Sequence, residues 1–169
     1  GVKLYVNMVE SAFDNFWETV PGWYSQTFSQ QERHSWAVFD IHWYTAWGGD
    51  KCSGRTVPGG RYLCSQAVDE VRPMLHTCIE DDMAKFAGKV DGLKSCSEFS
   101  LSTFEDAVLA CRNRDILSMY LQEQLDIFDR YRIQGFFWTW RMPYGPNFES
   151  AWSYEHIAMG QVAPQESGL

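Results

Sequence analysis

The sequence has no run of basic residues, no long apolar stretch and no pair of cysteines at CxxC spacing. Each absence closes off a class of function. Lys and Arg number 14 against 22 Asp and Glu, a formal net charge of -8, whereas binding a phosphate backbone needs a concentrated basic surface. Neither nucleic acid nor an anionic membrane is expected as the main partner. No segment approaches the roughly 20 uninterrupted apolar residues of a membrane helix, so the chain is expected to be soluble. The five cysteines, Cys52, Cys64, Cys78, Cys96 and Cys111, lack metal-finger spacing, and no metal or cofactor is expected. No Gly-x-Gly-x-x-Gly and no Walker loop follows any strand candidate, which leaves nucleotide binding without support.

The odd cysteine count leaves at least one thiol without an internal partner. Residues 48–60 read as a glycine-rich loop, and Cys52 and Cys64 flank a Gly/Pro-rich stretch that a disulfide could close, which fits an oxidising compartment. The first residue is Gly1, with no initiator Met and no signal peptide, so a processed, truncated or excised piece is expected.

Aromatic residues are abundant, at 16% with eight tryptophans. Such residues form cores, and they also line carbohydrate and other ligand clefts. They are densest at residues 135–140, Gly-Phe-Phe-Trp-Thr-Trp, which the turn-rich Met142-Pro143-Tyr144-Gly145-Pro146 follows. This reads as a buried strand whose period-2 alternation puts Phe136, Trp138 and Trp140 on one face.

The other elements follow in order. Residues 2–8 and 35–43 are strand candidates, and residues 10–20 form a helix that Pro21-Gly22 is expected to break. An amphipathic helix spans 65–87, bent or restarted at Pro73, with Val68, Val71, Leu75, Ile79 and Met83 as its apolar stripe. Residues 93–100 make a short third strand, and residues 103–111 and 115–131 are helical. Leu117, Leu121, Leu125 and Phe128 are expected to be the buried face of the second. After the aromatic strand come a closing helix at 149–159 and a tail at 161–169.

Strand and helix thus alternate four times, which implies parallel strands with crossover helices. A doubly wound sheet and part of a (β/α)8 barrel both fit. A complete barrel takes about 250 residues, so four units would be half of one. Polar and aromatic residues collect at the strands' C-terminal ends, where barrels build their active sites. His42 and Tyr44 project to the same side, with Trp47 just beyond. Glu98 lies at the end of the third strand, in Ser97-Glu98-Phe99-Ser100. A carboxylate, a His/Tyr pair and an aromatic platform at one pole are components of a glycosidase site.

The segments VFDIHWYTAW, SEFS and GFFWTWRMPYGPNFESAWSYEHI, in this order, resemble the C-terminal half of glycoside hydrolase family 5, and within it the secreted exo-β-1,3-glucanases. The resemblance spans residues 2–159. It implies the α/β fold of strands five to eight of a (β/α)8 TIM barrel in a single domain over residues 1–160. It implies Glu98 as nucleophile, with Ser97 and Phe99 where the family has Gly and Trp, and His42 and Tyr44 as its positioning partners. Trp47 would clamp sugar at the entrance. Trp138 or Trp140 would floor the first subsite, with Trp138 favoured by its place in Phe-Trp-x-Trp-Arg.

The implied activity is retaining hydrolysis of a β-glucan or glucoside, outside the cell or in its wall. The family's acid/base Glu belongs to an Asn-Glu-Pro motif that this sequence lacks, so the chain alone is expected to be inactive on unactivated glucans. A non-catalytic carbohydrate-binding or decoy protein is the alternative. The first and last strands would have open edges, for which an N-terminal half-barrel or a second copy is the expected partner.

Overall fold

A computed structural model describes residues 1–8, 15–45, 66–102, 111, 113–144 and 151–159. Among these residues the fold is α/β, with a four-stranded parallel sheet and five helices. The strands are β1 (Leu4–Asn7), β2 (Ala37–His42), β3 (Leu93–Phe99) and β4 (Ile133–Phe137). The helices are α1 (Phe16–Thr27), α2 (Gln30–Ser35), α3 (Val68–Lys89), α4 (Arg114–Arg130) and α5 (Tyr154–Ala158). All of the expected helix at 103–111 except Cys111 lies outside the described residues, as do the tail at 161–169, Trp47, Cys52 and Cys64.

Helix α1 does not break at Pro21-Gly22. An interior proline costs a helix about 3 kcal/mol, but Phe16, Trp17, Val20, Pro21 and Tyr24 are all buried on one stripe. Each large apolar side chain so buried contributes about 1.5–3 kcal/mol, and the Tyr24 hydroxyl also donates to the Ala37 carbonyl at 2.8 Å. Tertiary burial therefore outweighs the local penalty. At Pro73 α3 runs on as one helix without a restart, burying Val71, Leu75, Cys78, Ile79, Met83 and Phe86.

Ser35, expected to open a strand, is instead the last residue of α2. This short helix is started by a capping box in which Ser29 and Glu32 each bond the other's backbone N–H. Helix α4 is turned relative to the expected stripe. Leu117 and Phe128 are buried, but Leu125 is exposed and Leu121 only partly covered. The buried face is centred on Tyr120, Gln124 and Ile127, where the Gln124 amide donates to the Ser100 carbonyl at 3.1 Å.

The strands follow one another across the sheet in chain order, all parallel. That order contains no reversal, the feature that defines the switch point of a doubly wound sheet. One face is covered by helices. Phe39 meets Phe16, Tyr24 and Phe86, and Phe99 meets Phe128. Gly135 lies on this face, where an added Cβ would stand 2.8 Å from Phe128.

The other face carries Tyr5, Asn7, Asp40, His42, Ser95, Gln134 and Phe136. In a flat sheet β1 and β4 would stand about 14 Å apart, with side chains running parallel. Instead the Tyr5 hydroxyl donates to Gln134 Oε1 at 2.9 Å, and the Tyr5 and Phe136 rings meet edge to face at 5.7 Å. The sheet therefore curls around this face.

Candidate active site

Period-2 alternation along β2 and its extension sends Asp40, His42 and Tyr44 to the curled face. On β3 alternation alone would fail. Lys94 and Cys96 pair with Phe39 and Ile41 of the helix-covered face, so strict parity would aim residue 98 into the core. The register shifts instead: Ile41 pairs with Cys96, and His42 with Glu98. Ser97 is the extra residue of a β-bulge, and bulges re-aim side chains in this way. Glu98 consequently shares a face with His42.

There the Tyr44 hydroxyl donates to Glu98 Oε2 at 2.7 Å, and His42 Nδ1 lies 3.3 Å from the same oxygen. Burial, followed by the bond to Glu98, holds the Tyr44 phenol protonated far above the ordinary tyrosine range. Among the described residues no hydrogen bond reaches the second carboxylate oxygen, Oε1. Glu98 is partly exposed, with 26% of its side chain open to solvent. The chain crossing behind it is pinned. The Trp43 N–H donates to the Glu98 carbonyl at 3.0 Å, while the Trp43 indole is buried and donates to Asp82 at 2.9 Å.

The aromatic strand differs from expectation in extent and in burial. β4 ends at Phe137, and its core side is Ile133, Gly135 and Phe137 rather than the face of Phe136. Trp138 and Trp140 lie beyond the strand, 45% and 59% exposed. The bond from Trp138 N–H to Phe99 O at 2.8 Å is the last one to β3, and the chain then turns away from the ladder, Thr139 N–H donating to Trp152 O at 2.7 Å. The peptide between Trp138 and Thr139 is cis. The bond to Phe99 places Trp138 next to the strand end that bears Glu98. The structure thus brings His42, Tyr44 and Glu98 into contact and sets the exposed indoles at the same end of the sheet.

Two contributors have no part in the sequence-based site. Trp152 is buried with its ring 5.4 Å from that of Tyr44, and no local pattern marks it. Asp40 is buried beneath His42, and its parity with His42 and Tyr44 is a signal visible in the sequence.

A cavity of about 450 Å³ lies at the opposite pole, lined by His34, Asp91, Gly92, Lys94 and Arg132 among others. Its charges are largely self-satisfied. Asp91 lies 3.0 Å from His34 and 3.5 Å from Arg33, and Lys94 donates to the Gly92 carbonyl at 3.0 Å.

No protein-family model matches the chain, and no curated protein matches it in sequence. Among the described residues, no cluster of His, Cys, Asp or Glu could hold a metal ion, and no helix is long and apolar enough to cross a membrane.

Proposed function

We propose that the chain carries the nucleophile half of a retaining β-glycosidase site, acting on a β-glucan or glucoside, with Glu98 as nucleophile. The observation behind this reading is the Glu98 carboxylate at the C-terminal end of a parallel strand, with Oε2 accepting from Tyr44 and 3.3 Å from His42, and with no hydrogen bond on Oε1 among the described residues. A carboxylate engaged through one oxygen leaves the lone pairs of the other to meet a substrate. Oε1 would attack the anomeric carbon as the glycosidic C–O bond breaks and its electron pair leaves with the departing oxygen, and water would then release the sugar with retention. Trp138 and Trp140 supply flat apolar faces on which a pyranose can stack.

Strands in chain order, curled until side chains of the first and last touch, support a half (β/α)8 barrel as the fold. Its open β1 and β4 edges suit a complementary half-barrel or a second copy, which would bring the acid/base group. Cys78 and Cys111 are each disulfide-bonded, in keeping with an extracellular setting.

The experiment uses a leaving group that needs no proton. A 2,4-dinitrophenyl 2-deoxy-2-fluoro-β-glucoside should release dinitrophenolate stoichiometrically and leave one fluoroglucosyl ester on the peptide containing Glu98. Glu98→Gln should take up none. Absence of label, or equal labelling of Glu98→Gln, refutes the nucleophile assignment. The exposed indoles also suit a carbohydrate-binding protein without turnover, and binding of laminarin-type oligosaccharides with no label at Glu98 would establish that reading instead.

A further inference from the structure

Asp40 is buried on the curled face, 1% exposed, and its carboxylate is saturated. Oδ1 accepts from the Ser95 hydroxyl at 2.5 Å and the Ser97 N–H at 2.9 Å. Oδ2 accepts from the Ser97 hydroxyl at 2.5 Å and the Asn7 amide at 2.7 Å. Two of these four bonds go to Ser97, the extra residue of the β3 bulge. A bulge frees the inserted residue from the ladder, leaving its N–H to be satisfied elsewhere. Asp40 provides that acceptor, and its second oxygen fixes the same residue by its side chain.

We infer that Asp40 is a positioning residue: it holds the Ser97 bulge and thereby turns Glu98 out of the core and onto Tyr44 and His42. Asp40 touches neither Glu98 nor the reacting atoms, and it acts through the backbone of Ser97. Charge-assisted bonds of this kind are about twice as strong as neutral ones, which suits them to an irregularity that regular pairing would otherwise erase. The catalytic part of this inference rests on Glu98 being the nucleophile, and the structural part does not.

The two parts are tested separately in the full 169-residue chain. Asp40→Ala should raise hydrogen exchange at the Ser97 amide about tenfold or more. It should also move the ring resonances of Tyr44 and His42 in the same direction as Glu98→Gln does. With the fluoroglucoside, the labelling rate at saturation should fall about 10- to 100-fold with the half-saturating concentration little changed.

Ser97→Ala, which loses only the hydroxyl bond, should fall between wild type and Asp40→Ala and keeps the test open if the latter does not fold. Asp40→Asn can keep an oxygen on the Ser97 N–H and should recover part of the rate. Unchanged Ser97 exchange and unchanged Tyr44 and His42 resonances in folded Asp40→Ala, or in Ser97→Ala where Asp40→Ala is unfolded, would overturn the inference. A wild-type chain that takes no label refutes the nucleophile reading while the exchange and resonance data still decide the role of Asp40.

Discussion

Gly135 offers a sharp test of how β4 sits against the helices. Replacing it with Ala places a methyl carbon 2.8 and 3.2 Å from two atoms of the Phe128 ring and 3.1 Å from the Phe99 ring. Ordinary carbon contacts need about 3.5–4.0 Å, so a ring must retreat by roughly 0.7 Å. Neither ring has room. Both are 2% exposed and packed edge to face at 5.1 Å, in an interior as dense as an organic crystal.

Overpacking of this kind costs about 1–3 kcal/mol. The lower entropy of the unfolded Ala chain offsets about 0.4–1 kcal/mol, leaving a loss of about 1–2 kcal/mol. Thermal unfolding followed by tryptophan fluorescence should show a Tm lower by about 2–8 °C. Repeating the substitution in Phe128→Leu, where the ring edge is gone, should remove most of the loss. An unchanged or higher Tm in the single variant, or an equal loss in both backgrounds, would refute this packing and the register that creates it.

The remaining expectations concern the site. The unfolded chain releases the Tyr44 proton near pH 10, and burial with the Glu98 bond moves that release to higher pH in the folded one, so the stabilisation from the neutral phenol is complete below about pH 10 and declines above it. Between about pH 10 and 11 the wild type should lose stability in urea titrations more steeply than Tyr44→Phe. The difference approaches about 1.4 kcal/mol per pH unit only once the unfolded phenol is fully ionised, and solvent screening of this partly exposed group narrows the pH range over which it persists; parallel slopes would contradict it. Trp138→Ala and Trp140→Ala should each weaken laminarin-type oligosaccharide binding about two- to tenfold by calorimetry, the value of one ring contact. Unchanged affinity in both would remove these indoles from the ligand site.

Much of the architecture was legible because it rests on periodicity. Four strand–helix units, their parallel sense and the apolar stripe of α3 all follow from alternation and helical spacing. His42 and Tyr44 share a side for the same reason. Boundaries read less well where tertiary contacts overrode local preference, as at Pro21. The capping box at Ser29 and Glu32 was present as a Ser-x-x-Glu signal and marks α2, a helix too short for periodicity to detect. Trp138 and Trp140 mimic strand alternation, but after Trp138 the backbone bonds turn from β3 to Trp152, Tyr154 and Glu155, and only long-range pairing reveals that. Glu98 sits at a strand end in the sequence, yet its direction depends on a bulge that a count of residues cannot show.

The contact between Tyr5 and Gln134 joins positions 129 residues apart. On a ribosome adding about 5–20 residues per second, β1 is made about 6–26 s before the strand whose side chains it meets. During that interval Tyr5 has no partner across the sheet, and the curled face cannot close. β1 can pair with β2 long before this, but side-chain contacts so distant in sequence are slow to form, so the curl of the face is set only after β4 is made.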